Sequence, residues 1–131
     1  MNPYQNIWGN AVIGANTKIG AFVDIGGCEI GENCSIQAFV SIPPGWKIGN
    51  NVFIGPGVRF ANDKYPKADG DWELTQGIVE DNVTIGINST ILPVHIGKGA
   101  FIGAGSLVTK DIPPGEVWYG SPARQQHKSD E

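Results

Sequence analysis

A single six-residue rhythm runs through most of this chain. Ile7, Ile13, Ile19 and Ile25 fall six apart, a step of five leads to Ile30, and Ile36, Ile42, Ile48, Ile54 and Phe60 resume the interval. After an interruption come Val79, Ile85 and Ile91, another step of five to Ile96, and then Ile102 and Val108. A period of six matches neither the helical repeat nor the two-residue alternation of a long strand. It suits very short strands joined by tight corners, so the chain is expected to wind as a coil of parallel β-structure.

Two further columns support the same winding. Four residues after the anchors stand small or β-branched residues: Ala11, Thr17, Val23, Cys34, Val40, Val52, Val58, Val83, Ser89, Ala100 and Ser106. These are expected to point inward beside the anchors. Three residues after the anchors the chain prefers Asn or Gly, as at Asn10, Asn16, Asn33, Gly45, Asn51, Gly57, Asn82, Asn88, Gly99 and Gly105. Those two types best tolerate the positive φ of a tight corner. Three hexads make one triangular turn, so about five to six coils are expected, with strands ~4.8 Å apart. Each fully buried Ile or Val contributes about 1.5–3 kcal/mol.

The ladder absorbs several tempting motifs. Asn33-Cys34-Ser35, Asn82-Val83-Thr84 and Asn88-Ser89-Thr90 match a glycosylation pattern, yet each is a corner Asn followed by its inward neighbour. Gly97, Gly103 and Gly105 lack the strand-to-helix setting of a dinucleotide fingerprint. Cys34 falls in an inward column, whereas Cys28 lies in a shortened step that leaves its direction open. Phe22 and Phe39 stand in the Asn/Gly column on successive coils and are expected to stack along one edge. That edge suits either an intersubunit contact or a platform for a nucleotide base.

The interruption, residues 61–77, is the one long loop in the ladder and the first place to seek function. The whole chain, residues 1–131, reads as one domain with this loop and a short C-terminal segment, 113–131. A net charge of −4 argues against a partner such as nucleic acid. No stretch approaches the ~20 apolar residues of a membrane span, and the first residues carry no leader pattern, so a cytoplasmic chain is expected. With two histidines, His95 and His127, the sequence lacks the three needed for a His-ligated zinc site. No metal is expected.

The Ile-Gly-x-x-(Val/Ser/Ala)-x pattern over residues 7 to about 112 resembles the hexapeptide-repeat acyltransferases. So do the closing run from Ile102 to Gly115 and the segment Gly120-Ser121-Pro122-Ala123-Arg124, where relatives carry Asn in place of Ser. The resemblance implies an all-β, left-handed parallel β-helix assembled as a homotrimer, with active sites between subunits and acetyl-CoA as co-substrate. Phe60-Ala61-Asn62-Asp63-Lys64-Tyr65-Pro66 resembles the nucleotide-sugar 3-N-acetyltransferase branch, whose members carry Thr where this chain has Ala61. That branch acetylates the 3-amino group of a UDP- or dTDP-linked sugar, for lipopolysaccharide or other surface glycans.

Acetyl transfer from a thioester needs a neutral amine aimed at the carbonyl, a donor for the developing oxyanion and a hold on CoA. Cys34 is expected to be buried and Cys28 has no evident base beside it, which favours direct attack in a ternary complex over an acyl-enzyme. Asn62 matches the family residue beside the reacting amine, and Asp63 next to it is a candidate to align the amine or take its proton. The bland reading of the pair is a turn before Pro66. His95 is expected to point outward and is either a general base or an ordinary surface histidine; His127 lies in the polar tail. Lys98, Lys110 and Arg124 are expected to cluster near the last coils, where relatives bind CoA phosphates. Gly86, Gly103 and Ala104 would leave room for the pantetheine arm. Arg59, Lys64 and Tyr65, with Phe39 as a base platform, are the candidate nucleotide-sugar contacts. A catalytic Asn62 implies that Asn62→Ala leaves stability nearly unchanged. The rival readings are acyl transfer to another small amine or hydroxyl, and a non-catalytic β-helix assembly subunit.

Overall fold

The computed structural model describes residues 4–126, so His127 lies outside the described residues. The chain winds as a three-sided solenoid, and every side is a sheet built from one short strand per coil. The first face contains β1 (Asn6–Ile7), β4 (Asp24–Ile25), β7 (Ser41–Ile42), β10 (Arg59–Phe60), β13 (Thr90–Ile91) and β16 (Leu107–Val108). The second contains β2 (Val12–Ile13), β5 (Glu29–Ile30), β8 (Trp46–Ile48), β11 (Gly77–Val79) and β14 (His95–Ile96). The third contains β3 (Lys18–Ile19), β6 (Ser35–Ile36), β9 (Phe53–Ile54), β12 (Thr84–Ile85) and β15 (Phe101–Ile102), and it ends on β17 (Val117–Gly120) and β18 (Ala123–Gln126). All pairs are parallel except the closing β17–β18 hairpin. Among the described residues there is no α-helix.

The anchor column is the core. Anchors stack on anchors in register, as in Ile36 on Ile54 and Ile85 on Ile102. From Ile25 to Val108 all of them are buried, and so are the inward residues from Val23 to Ser106. Ile7, Ile13 and Ile19 in the first coil are only partly buried, because no coil precedes them to cover that end. Buried Ser89 and Ser106 resolve their hydroxyls on the Gly103 carbonyl, at 3.1 and 2.6 Å. Cys34 donates its thiol to the Gly49 carbonyl at 3.2 Å. Cys28 also turns inward, and burial, with the Glu29 charge second, pushes its thiol up to about 12.

Positive φ falls where the corner column places it, at Asn16, Asn33, Asn51, Asn82, Asn88, Gly45, Gly57, Gly99 and Gly105. Asn10 is the exception: Gly9, at φ 68°, makes that corner instead. The correction belongs to a wider pattern. The second–third and third–first corners repeat almost unchanged from coil to coil, whereas the first–second corner differs in each coil. Both five-residue steps, at Cys28 and at Val94, occur there, and so does the long loop between β10 and β11. Val94 is buried and His95 exposed, so the omitted residue is the corner one.

Phe22 and Phe39 adopt φ 60° and 66°. For a bulky residue that conformation costs about 1–2 kcal/mol, which Gly or Asn largely avoids.

Candidate functional site

The loop leaves the ladder over a filled corner. Trp46 stands in the inward column where the other coils carry small residues, and it is the largest fully buried side chain. Its indole packs edge-on against Phe60 at 4.7 Å and donates from Nε1 to the Ala61 carbonyl at 2.9 Å. Room for the ring comes from Gly77, where a Cβ would lie 2.4 Å from the indole. Sequence reasoning passed over Trp46 because its space is created by the loop. The root is then stapled: Asn62 Nδ2 donates to the Pro44 carbonyl at 3.0 Å, and the Asn62 carbonyl accepts from the Thr75 amide at 2.8 Å. Asn62 is therefore also structural, and Asn62→Ala removes a hydrogen bond worth about 0.5–1.5 kcal/mol. That hydrogen bond argues for a modest loss of stability where the sequence suggested almost none.

Asp63 Oδ1 accepts from the Tyr65 amide at 3.0 Å, closing the turn before Pro66. Its Oδ2 is buried and has no hydrogen-bond partner among the described residues. Asp63 lines a cavity of about 430 Å³ with Lys64, Tyr65, Lys67, Trp72 and Thr75. An unpartnered buried carboxylate oxygen costs free energy and invites a donor.

A second cavity, about 390 Å³, lies on the second face against Lys47, Ile78, Glu80, His95 and Lys98. Here β11 pairs with β14, setting Ile78 opposite His95. His95 Nε2 meets Glu80 Oε2 at 2.5 Å, while Glu80 Oε1 accepts from the Lys98 amide at 2.9 Å. The His95 hydrogen bond, with that amide second, holds the Glu80 carboxyl below its ordinary value. An ionised carboxylate only accepts, so Nε2 donates to Glu80, and Nδ1 presents the lone pair whenever the imidazole is neutral. The His95 amide in turn donates to Asp111 Oδ1 at 2.8 Å. Glu80 was legible in principle, because it is an acid standing where many anchors are followed by Gly.

The remaining candidates are dispersed around the triangle. Lys98 sits at the second–third corner, Lys110 follows the first face, and Arg124 lies on β18 opposite Tyr119. These three stand on different sides of the triangle within one chain. Gly86, Gly103 and Ala104 lie together on adjacent coils where the third face turns into the first. Their small size already has a packing cause, since a Cβ on Gly86 would lie 2.6 Å from the Ala104 amide nitrogen. Arg59 is exposed on the first face between Ser41 and Thr90. Lys64 and Tyr65 line the loop cavity, whereas Phe39 lies on the third–first edge, away from them. The loop cavity and the His95 groove share no lining residue. Among the described residues no three His, Cys, Asp or Glu side chains are placed to hold a metal ion, and no helix is long and apolar enough to cross a membrane.

A three-faced parallel coil with this repeat defines a class. The bacterial transferase hexapeptide profile matches residues 10–44 and 27–62, and the hexapeptide repeat of succinyl-transferase matches residues 77–110. The chain belongs to the hexapeptide-repeat transferase family, whose repeat agrees with the left-handed coil implied by the resemblance. It is 36% identical over 126 residues to the bifunctional protein GlmU of Thermotoga maritima, covering 95% of this chain and 26% of that protein. The chain thus spans about a quarter of the length of the curated relatives it matches first. Among solved structures it resembles the hexapeptide-repeat-containing acetyltransferase VCA0836 from Vibrio cholerae, with TM-score 0.81 and 26% identity over 88% of this chain and 72% of that one. VCA0836 has also been solved with acetyl-coenzyme A. AntD, an N-acyltransferase from Bacillus cereus solved with dTDP and coenzyme A, shares the fold at TM-score 0.79 and 21% identity, over 95% of this chain and 76% of that one.

Proposed function

We propose that this chain is a CoA-dependent N-acetyltransferase. It moves the acetyl group of acetyl-CoA to the amine, the 3-amino group in the preferred reading, of a UDP- or dTDP-linked amino sugar used for bacterial surface polysaccharide. Family membership and the acetyl-CoA complex of VCA0836 support acetyl-CoA as donor. The observation that carries the choice of an amine acceptor is the buried, unpartnered Oδ2 of Asp63. A sugar amine is a donor of the right kind for it, and Lys64 and Lys67 beside the same cavity suit the diphosphate.

The amine nitrogen attacks the thioester carbonyl directly, the C–S bond breaks, and the thiolate of CoA leaves. The proton lost by the amine goes to a base. Asp63 orients the amine, Asn62 holds the loop root at the rigid corner, and His95 Nδ1, with Nε2 anchored on Glu80, is the candidate base. Gly86, Gly103 and Ala104 flank the pantetheine arm, while Lys110 and Arg124 meet the CoA phosphates. Because one chain sets these groups on different corners, a homotrimer is the assembly in which they come to face one pair of substrates.

Asp63→Asn tests this reading. It keeps the volume and removes the charge, so kcat/KM for amino-sugar nucleotides should fall at least tenfold while acetyl-CoA affinity, measured by calorimetry, holds. An unchanged kcat/KM would remove Asp63 from the acceptor site. Acetyl-CoA that fails to bind at all would favour a non-catalytic β-helix subunit.

A further inference from the structure

The third–first edge carries one corner residue per coil. In chain order it runs Phe22, Phe39, Gly57, Asn88 and Gly105, with Tyr4 ahead of Phe22. We propose that this edge is a nucleobase-binding track, with the base stacked on the face of Phe39 over Gly57. The inference rests on the acetyl-transfer reading only for the source of the base, either the adenine of CoA or the pyrimidine of the nucleotide-sugar acceptor.

Three observations converge on it. Among the described residues the other non-glycine positions with positive φ are all Asn, so Phe22 and Phe39 depart from the inexpensive solution on two adjacent coils of the same edge. Retention of a costly conformation without burial points to what the side chain does outside. The rings are exposed, Phe22 by 55% and Phe39 by 52%. They also form an ordered stack, Phe22 on Phe39 at 5.3 Å and 15°, with Tyr4 tilted at 5.3 Å beyond Phe22.

The column then stops being aromatic while the edge continues. One coil past Phe39 stands Gly57, which has no side chain, and Asn88 Oδ1 lies 2.3 Å from where its Cβ would be. The Asn88 amide thus leans over Gly57 from the next coil, so a planar heteroaromatic ring on the face of Phe39 would meet a side-chain amide, which suits the donors and acceptors of a base. Farther along the same edge Gly105 is open, with nothing within 4 Å of where its Cβ would be, so a chain attached to the base has room there. Gln37, just before the corner, is already committed to the Ser35 hydroxyl.

Calorimetric titration of the full chain with CoA, UDP and dTDP separates the sources, using wild type, Phe39→Asn and Phe39→Tyr. Asn restores the corner residue used elsewhere and removes the ring, while Tyr keeps a ring. Loss of one stacked base should weaken binding about tenfold in Phe39→Asn, with recovery in Phe39→Tyr. A loss confined to UDP or dTDP assigns the edge to the acceptor, and a loss confined to CoA assigns it to adenine. Phe39→Leu gives the same contrast should Phe39→Asn not fold. Affinities unchanged in all variants overturn the proposal. So does a change of oligomeric mass in Phe39→Asn with affinities intact, since the rings then serve contact between copies. If nucleotides bind through Phe39 but no acceptor releases thiol from acetyl-CoA, the base site stands and the acetyltransferase reading falls.

Discussion

Two edges of this solenoid break its rule in opposite ways. The first–second corner breaks it by insertion: the chain leaves at Ala61, returns at Gly77, and the gap is filled from beneath by Trp46. The third–first edge breaks it by substitution, keeping every coil the same length and placing Phe where Asn or Gly belongs. Insertion costs chain entropy but leaves the backbone relaxed, and it yields a cavity with its own charged lining. Substitution adds no chain and stores a little strain in a rigid corner. One edge carries an inserted loop with its own cavity, and the other a row of exposed, stacked rings on rigid corners.

The comparison is broken most severely by removing what both edges share. Ile54 is fully buried in the anchor column, so Ile54→Asp should abolish folding; a soluble variant with native melting temperature would contradict the ladder. Trp46→Ala should cost about 3–5 kcal/mol, because the cavity it leaves under the loop root cannot close over Gly77. Thermal melting checks this, and a loss below 1 kcal/mol would mean that the corner collapses instead. Asn62→Ala should cost about 1 kcal/mol while lowering kcat/KM, since the same side chain staples the root and belongs to the proposed acceptor site.

Phe39→Asn should go the other way and stabilise by up to about 1 kcal/mol, through relief of the corner conformation less the lost stacking. A destabilised variant would make the ring stack a structural device. The smallest effect belongs to Glu80, which is solvent-exposed. Its carboxyl titrates lower in the folded chain than when unfolded, so its contribution is present above the ordinary value of 4.5 and is lost as pH falls through the lowered one. Glu80→Gln should flatten that part of the stability–pH curve.

The sequence showed the fold because the hexad fixes direction and corner conformation independently, and both columns agree. It misassigned one corner, Asn10 for Gly9, at the edge where step length varies and the column has no fixed phase. Trp46 was invisible for a tertiary reason: the space it fills is opened by Gly77, thirty-one positions away. The Glu80–His95 pair needed only the register of β11 on β14, which the ladder already implied. Proximity along the axis says nothing about which side of the triangle a residue occupies, which is why Lys98, Lys110 and Arg124 stand on different sides of one chain. The split of Phe39 from Lys64 and Tyr65 has the same cause.

The central claim is that the loop root accepts an amine and the coil carries acetyl-CoA. Thiol release from acetyl-CoA, measured against UDP- and dTDP-linked 3-amino, 4-amino and non-amino sugars, tests it most directly. The account predicts release with an amino-sugar nucleotide, the 3-amino compounds foremost, and none with the non-amino sugars. Equal release across the panel, or none with any member, would contradict it.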